Sequence, residues 1–164
     1  MKKNKATLTS FRDERVLELV KTVDPKILAR WAIDCAERVM PYFEAIFPVD
    51  TRPRKALEVL LTWVDTGKFS MKVIRKASLD AHAAARDVGE DSPARSAARA
   101  AGQAVATAHV RTHSIGSAIY ALQAIHRAAA PSEADAAVAR EREWQYRHLV
   151  QLIENDGRRK TSQE

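Results

Sequence analysis

Pro93-Ala94-Arg95-Ser96-Ala97-Ala98-Arg99-Ala100-Ala101-Gly102-Gln103-Ala104-Val105-Ala106-Thr107-Ala108-His109 is the stretch on which the fold turns. Ala97, Ala98, Ala101, Val105 and Ala108 recur at helical spacing, and Ser92-Pro93 ahead of them is a helix start. Thirteen of the 32 residues from Ala77 to Ala108 are alanine, and side chains this small let helix axes approach closely. Ala98, Gly102 and Ala106 repeat a small residue every fourth position, a pattern that favours close backbone approach. Gly102 costs ~1 kcal/mol relative to alanine inside a helix, which close packing or a ligand contact would offset. Ala83 and Ala100 could instead reflect helix propensity on an exposed face.

The same punctuation recurs outward from this centre, and no alternating Val, Ile and Thr pattern of strands accompanies it. Ser10 is placed to cap a first helix reaching about Val23, with Asp13 closing the box. Asp24-Pro25 caps and opens a second, whose Leu28, Trp31, Ala32, Cys35 and Val39 share a face and which Pro41 ends or kinks. Asp50-Thr51-Arg52-Pro53 opens a third with Leu57, Leu60, Leu61 and Val64, stopped by Gly67. A fourth spans about Ser70 to Val88, ahead of Gly89. The central helix runs from Ala94 to about Thr112, and His113-Ser114-Ile115-Gly116 interrupts it before Ile119, Leu122 and Ile125 resume the pattern. Pro131-Ser132 starts a last long helix that Gly157 ends. The expected fold is all-α, with about six to eight helices in one domain over residues 10–157. Short turns suit either an antiparallel helical bundle or a short stack of helical hairpins. Disordered tails are expected at residues 1–9 (basic) and 158–164 (polar).

The 164 residues suffice for one core, and no apolar run approaches the roughly 20 residues of a bilayer span. The basic start, Met1 to Lys5, lacks an apolar segment behind it, so a cytoplasmic protein without a membrane anchor is expected. Cys35 is the only cysteine and forms no intrachain disulfide. The formal charge of +6 invites a nucleic-acid partner. Its distribution argues against one, because residues 6–157 hold 21 basic against 20 acidic side chains and the excess sits on the two tails.

His109 and His113 stand four apart, a spacing that can present two metal ligands on one helix face. The motif's glutamate is absent and Arg111 would oppose a cation, so no metal and no cofactor is assigned. His82 and Arg86 form another such pair. With Arg99, Gln103 and His109, and with Asp34, Glu37 or Arg54 from earlier helices, they could form a polar cluster that serves as an interaction patch, a small-ligand or catalytic pocket, or a satisfied structural network. Cys35 has no evident activating partner, and Ser114 and Ser117 lack a nucleophile-elbow context.

Several strings carry a resemblance: Cys35-Ala36-Glu37, Pro41-Tyr42-Phe43-Glu44, Asp50-Thr51-Arg52-Pro53-Arg54-Lys55-Ala56-Leu57-Glu58, Ala81-His82-Ala83-Ala84-Ala85-Arg86, and above all Ala97 to His109, with Glu143-Trp144-Gln145 extending it. From about Leu28 to Leu149 the chain resembles the bacterial helical family called putative immunity proteins, immunity-five-like domains of polymorphic-toxin systems. The resemblance implies a cytoplasmic protein that binds and neutralises a cognate toxin, with no catalytic set to carry over. Ser78-Leu79-Asp80 and Ser114-Ile115-Gly116 depart from the small apolar residues expected there. The leading expectation is therefore a non-enzymatic toxin-binding protein. An enzyme, or a ligand- or metal-binding domain built on the His and Arg residues, is the alternative, and a homodimer through an open apolar face is compatible with either.

Overall fold

A computed structural model describes residues 8–163; most of the expected N-terminal tail, residues 1–7, lies outside them. Among the described residues there are eight α-helices and no strand. After a short 3-10 turn they are α1 (Glu14–Val20), α2 (Pro25–Glu37), α3 (Met40–Glu44), α4 (Arg52–Thr66), α5 (Met71–Asp87), α6 (Pro93–Ala106), α7 (His113–Ala128) and α8 (Ala134–Thr161).

α6 is the hub. Ten of its residues are buried, around most of the helix, including Ala97, Ala98, Ala100, Ala101 and Ala104 with no exposure at all. Arg95, Arg99 and Gln103 form a partly exposed stripe; a helix apolar over the rest of its circumference belongs largely in an interior, and α2, α3, α4, α5 and α7 all pack against this one. That arrangement is a bundle around a central helix, since a hairpin stack would leave α6 touching only its sequence neighbours. Ala100 is therefore core, against the exposed role its propensity allowed. α2 in turn packs on α7 and α8, and three buried polar bonds lock that junction. Trp31 Nε1 donates to the Gln145 carbonyl at 2.8 Å, Gln145 Nε2 to the Ala118 carbonyl at 3.0 Å, and Ser117 Oγ to the Ala32 carbonyl at 3.1 Å.

Most start and stop signals act as read. Asp24 and Ser92 accept backbone N–H groups of α2 and α6 with Pro25 and Pro93 at the first helical positions, and Gly67 ends α4 at φ 70°. Several boundaries differ. Pro41 does not end α2, which stops at Glu37; the proline lies in the first turn of α3, and α8 begins at Ala134, after Pro131-Ser132. Asp13, not Ser10, caps α1 by accepting from the Arg15 N–H; Ser10 lies in the preceding 3-10 turn. The break after the alanine-rich helix falls at Thr107–Thr112, and His113-Ser114-Ile115-Gly116 is the first turn of α7. From this break Arg111 Nη1 donates to the carbonyls of Val20, Lys21 and Val23, at 3.2, 3.0 and 3.2 Å, at the end of α1 and in the turn after it. Those carbonyls have no helical partner of their own. Finally, α8 runs through Gly157 to Thr161, so residues 158–161, expected in the tail, are helical. Basic Arg158, Arg159 and Lys160 suit a helix C-terminus, and Lys160 pairs with Asp156 one turn back.

Candidate functional site

The candidate residues separate into three places. His82, Arg86, Arg99, Gln103, His109 and His113 gather where α5, α6 and the start of α7 meet. Gly102 makes this junction possible. A Cβ built on it would lie 2.8–3.0 Å from the His82 ring, so the missing side chain lets the imidazole rest on the α6 backbone. Ser78 Oγ donates to the Gly102 carbonyl at 2.9 Å, tying α5 to the same residue. The offset to the cost of a mid-helix glycine is thus packing. Gly116 has the same role in α7, its bare Cα facing the Gln103 side chain, whose Oε1 lies 2.8 Å from His113 Nδ1. The neutral tautomer protonated at Nδ1 would donate to that amide oxygen. The Arg99 guanidinium lies 6.0 Å from the Tyr120 ring centre.

His82 Nδ1 is buried without a hydrogen-bond partner. Burial pushes the His82 pKa below its ordinary value, and Arg99, Arg86 and His113 push it further the same way. Burial and His109 likewise depress His113. Both rings are held neutral at pH 7. A histidine with a depressed folded-state pKa takes up its proton more readily when unfolded, so stability is lost as pH falls through the window below ~6.5. We expect the wild-type Tm to fall between about pH 7 and pH 5 more steeply than that of His82→Leu; equal slopes in thermal melts would show that His82 contributes nothing to the effect. For the same junction, Gly102→Ala should destabilise by about 1–3 kcal/mol through overpacking against the imidazole, measured as a lowered urea midpoint at unchanged slope.

His109 is exposed and outside any helix, while His113 opens α7. They do not share a helix face as their spacing suggested, although their ring centres are 5.4 Å apart. Among the described residues no group of three or more His, Cys, Asp or Glu is placed to hold a metal.

Glu37 and Arg54 form a second cluster, with the Arg54 guanidinium bridging Glu37 and Glu44. It ties α4 to α2 and α3. Asp34 belongs to a third, which the sequence reading missed. Asp34 Oδ2 is 2.7 Å from His148 Nε2, the His148 ring stacks on Trp144 at 4.7 Å and 15°, and Arg38 lies 3.9 Å over the Trp144 ring. Arg38 also grips Glu141 with two bonds, of 2.5 and 2.9 Å, and Glu141 raises its pKa further. Asp34 of α2 and Arg38 at its C-terminal cap are four apart, and Trp144 and His148 are four apart on α8; two such pairs of polar and aromatic residues were the available signal. Burial pushes the neighbouring Cys35 thiol well up, with Asp34 and Glu141 adding to it, so the sulfur stays protonated.

A cavity of about 440 Å³ lies between the 3-10 turn and α7, walled by Leu17, Ile115, Ile119 and Tyr120 among others. Gln103 alone of the candidate residues reaches it. A cleft of about 700 Å³ at the far ends of α2, α4 and α8 is lined largely by the Arg30–Asp65 and Lys160–Asp156 ion pairs and their neighbours. Among the described residues, neither of these spaces brings an acid, a base and a nucleophile of the candidate set together. Asp34 and Glu37 are paired away from His82, and Cys35 is sealed.

Residues 18–152 match the family described as Imm-5 like putative immunity protein. The chain belongs to that family. The match runs from within α1 into α8 and takes in the whole bundle around α6, a longer span than the strings that carried the resemblance. Compared with curated proteins and with solved structures, the chain gives no match. No helix among the described residues is long and apolar enough to cross a membrane.

Proposed function

We propose that this member of the immunity family acts in the bacterial cytoplasm by binding a cognate toxin and covering its working surface, without chemical turnover. The family match across residues 18–152 carries this reading. The dispersal of the candidate catalytic groups supports it, since occlusion needs a rigid surface and no aligned proton donors or nucleophile. The junction of His82, Arg86, Arg99, Gln103, His109 and His113 is the partner-facing portion of the candidate set. Asp34, Glu37 and Arg54 serve the framework, because each is already bonded across helices. The test is co-expression with the toxin-like product of the adjacent gene. Growth should be restored by the intact chain; continued arrest with the chain well expressed would refute the reading.

A further inference from the structure

We propose that the seam between α5 and α6, carrying Leu79, His82, Arg86 and Arg99, docks an acidic patch on the protein partner. This rests on the immunity reading and adds the chemistry of the partner's surface.

The first support is charge distribution. From Ser92 to Ser132 the sequence contains no Asp or Glu, so α6 and α7 offer no carboxylate to the arginines beside them. The acids of α5 are engaged elsewhere, Asp80 by Lys76 and Asp87 by Arg52. Asp91, just ahead of α6, is taken by Arg95 and Arg127. Arg86 and Arg99 thus have no ion pair among the described residues, in a molecule whose Arg15, Arg38, Arg52 and Arg54 each hold one or two carboxylates. The groups acting on His82 from α5, α6 and α7 are Arg86, Arg99 and His113, and all disfavour a further positive charge. An acidic surface laid here would relieve that repulsion, and charge complementarity of this kind sets both encounter rate and specificity.

The second support is shape. Leu79 is 57% exposed, and Leu79, His82 and Arg86 follow one another at helical spacing along one stripe of α5. His82 is fixed against Gly102 and Ser78 is bonded to it, so the stripe is held rigid before a partner arrives. An apolar side chain amid arginines suits a protein surface. A nucleic acid would call for a broader run of phosphate-binding cations than a folded region with 21 basic and 20 acidic residues provides.

The experiment titrates an inactive form of the adjacent gene's toxin-like product with wild type, Arg86→Glu/Arg99→Glu, and Arg158→Glu/Arg159→Glu, which makes the same charge change on exposed positions of α8. Circular dichroism melts confirm folding. Should the glutamate pair at the seam fail to fold, Arg86→Gln/Arg99→Gln replaces it. The seam pair should weaken binding about 100-fold, or about 10-fold for the glutamine version, while the α8 pair changes it less than about 3-fold and added salt weakens the wild type. Wild-type affinity in the seam pair, or equal losses in both pairs, overturns the acidic-docking proposal and leaves the immunity reading intact. No binding by the wild type refutes the reading and the proposal with it. A duplex DNA oligonucleotide run alongside that binds through the seam, when the protein probe does not, would assign it to nucleic acid and also overturn the proposal.

Discussion

Trp31→Ala should lower the unfolding free energy by about 3–5 kcal/mol, which for a chain of this size means a Tm about 10 °C lower. Trp31 is fully buried among the largest core side chains, and its removal leaves a cavity where α2 faces α7 and α8. It also strips the Gln145 carbonyl of the indole N–H that satisfies it at 2.8 Å, adding the penalty of an unpaired buried acceptor. Trp31→Phe separates the two costs. It keeps most of the apolar volume and loses the bond, so it should fall about 1–3 kcal/mol below wild type. Thermal or urea melts of the three proteins decide the matter; a Trp31→Phe variant as unstable as Trp31→Ala would mean that the hydrogen bond, and not the cavity, dominates.

The second large effect is expected at the hub. Ala101→Leu adds three carbons on the packed face of α6, at a residue with no exposure. Ala101 lies on the face of α6 opposite the partly exposed stripe of Arg95, Arg99 and Gln103, so the insertion must push neighbouring helices apart. Overpacking of this kind costs about 1–3 kcal/mol and sometimes more. Ala136→Leu, at an exposed position of α8, is the matched control and should change stability by less than about 0.5 kcal/mol. A tolerated leucine at residue 101 would contradict the central position of α6.

These expectations depend on features that differ in how far the sequence displays them. The alanine run, the Asp24-Pro25 and Ser92-Pro93 starts and the Gly67 stop are local. Each acts through backbone groups a few residues away, and the all-helical fold was legible from them. The place of the helix break was not, because no glycine or proline marks Thr107–Thr112, and the Arg111 bonds made there reach carbonyls 88 to 91 residues earlier in the chain. The Gly157 signal misled for the opposite reason. It is a local cue overridden by a basic last turn and by hydroxyl bonds from Thr161 and Ser162 to the carbonyl of Arg158. At the candidate site, the junction of His82 with Arg99 and of Gln103 with His113 follows from consecutive helices α5, α6 and α7 packing in order. Asp34 with His148 joins residues 114 apart, and nothing in local spacing pairs them, so the carboxylate expected beside His82 is instead held by α8.

The acid-free stretch of α6 and α7 gains its meaning only once the fold is known. On an isolated helix its arginines would be ordinary solvated charges. Packed as it is, Arg99 of α6 joins Arg86 and His82 of α5 at one junction, where neither arginine has an ion pair among the described residues.

The proposal that this protein neutralises a toxin by binding and not by chemistry is tested most directly by a titration of toxin activity against added chain. Activity should fall linearly to zero at one chain per toxin, and toxin recovered by denaturing the complex and refolding should regain full activity with unchanged mass. Inactivation by far less than one equivalent, or recovered toxin carrying a covalent change, would contradict occlusion and make the protein an enzyme.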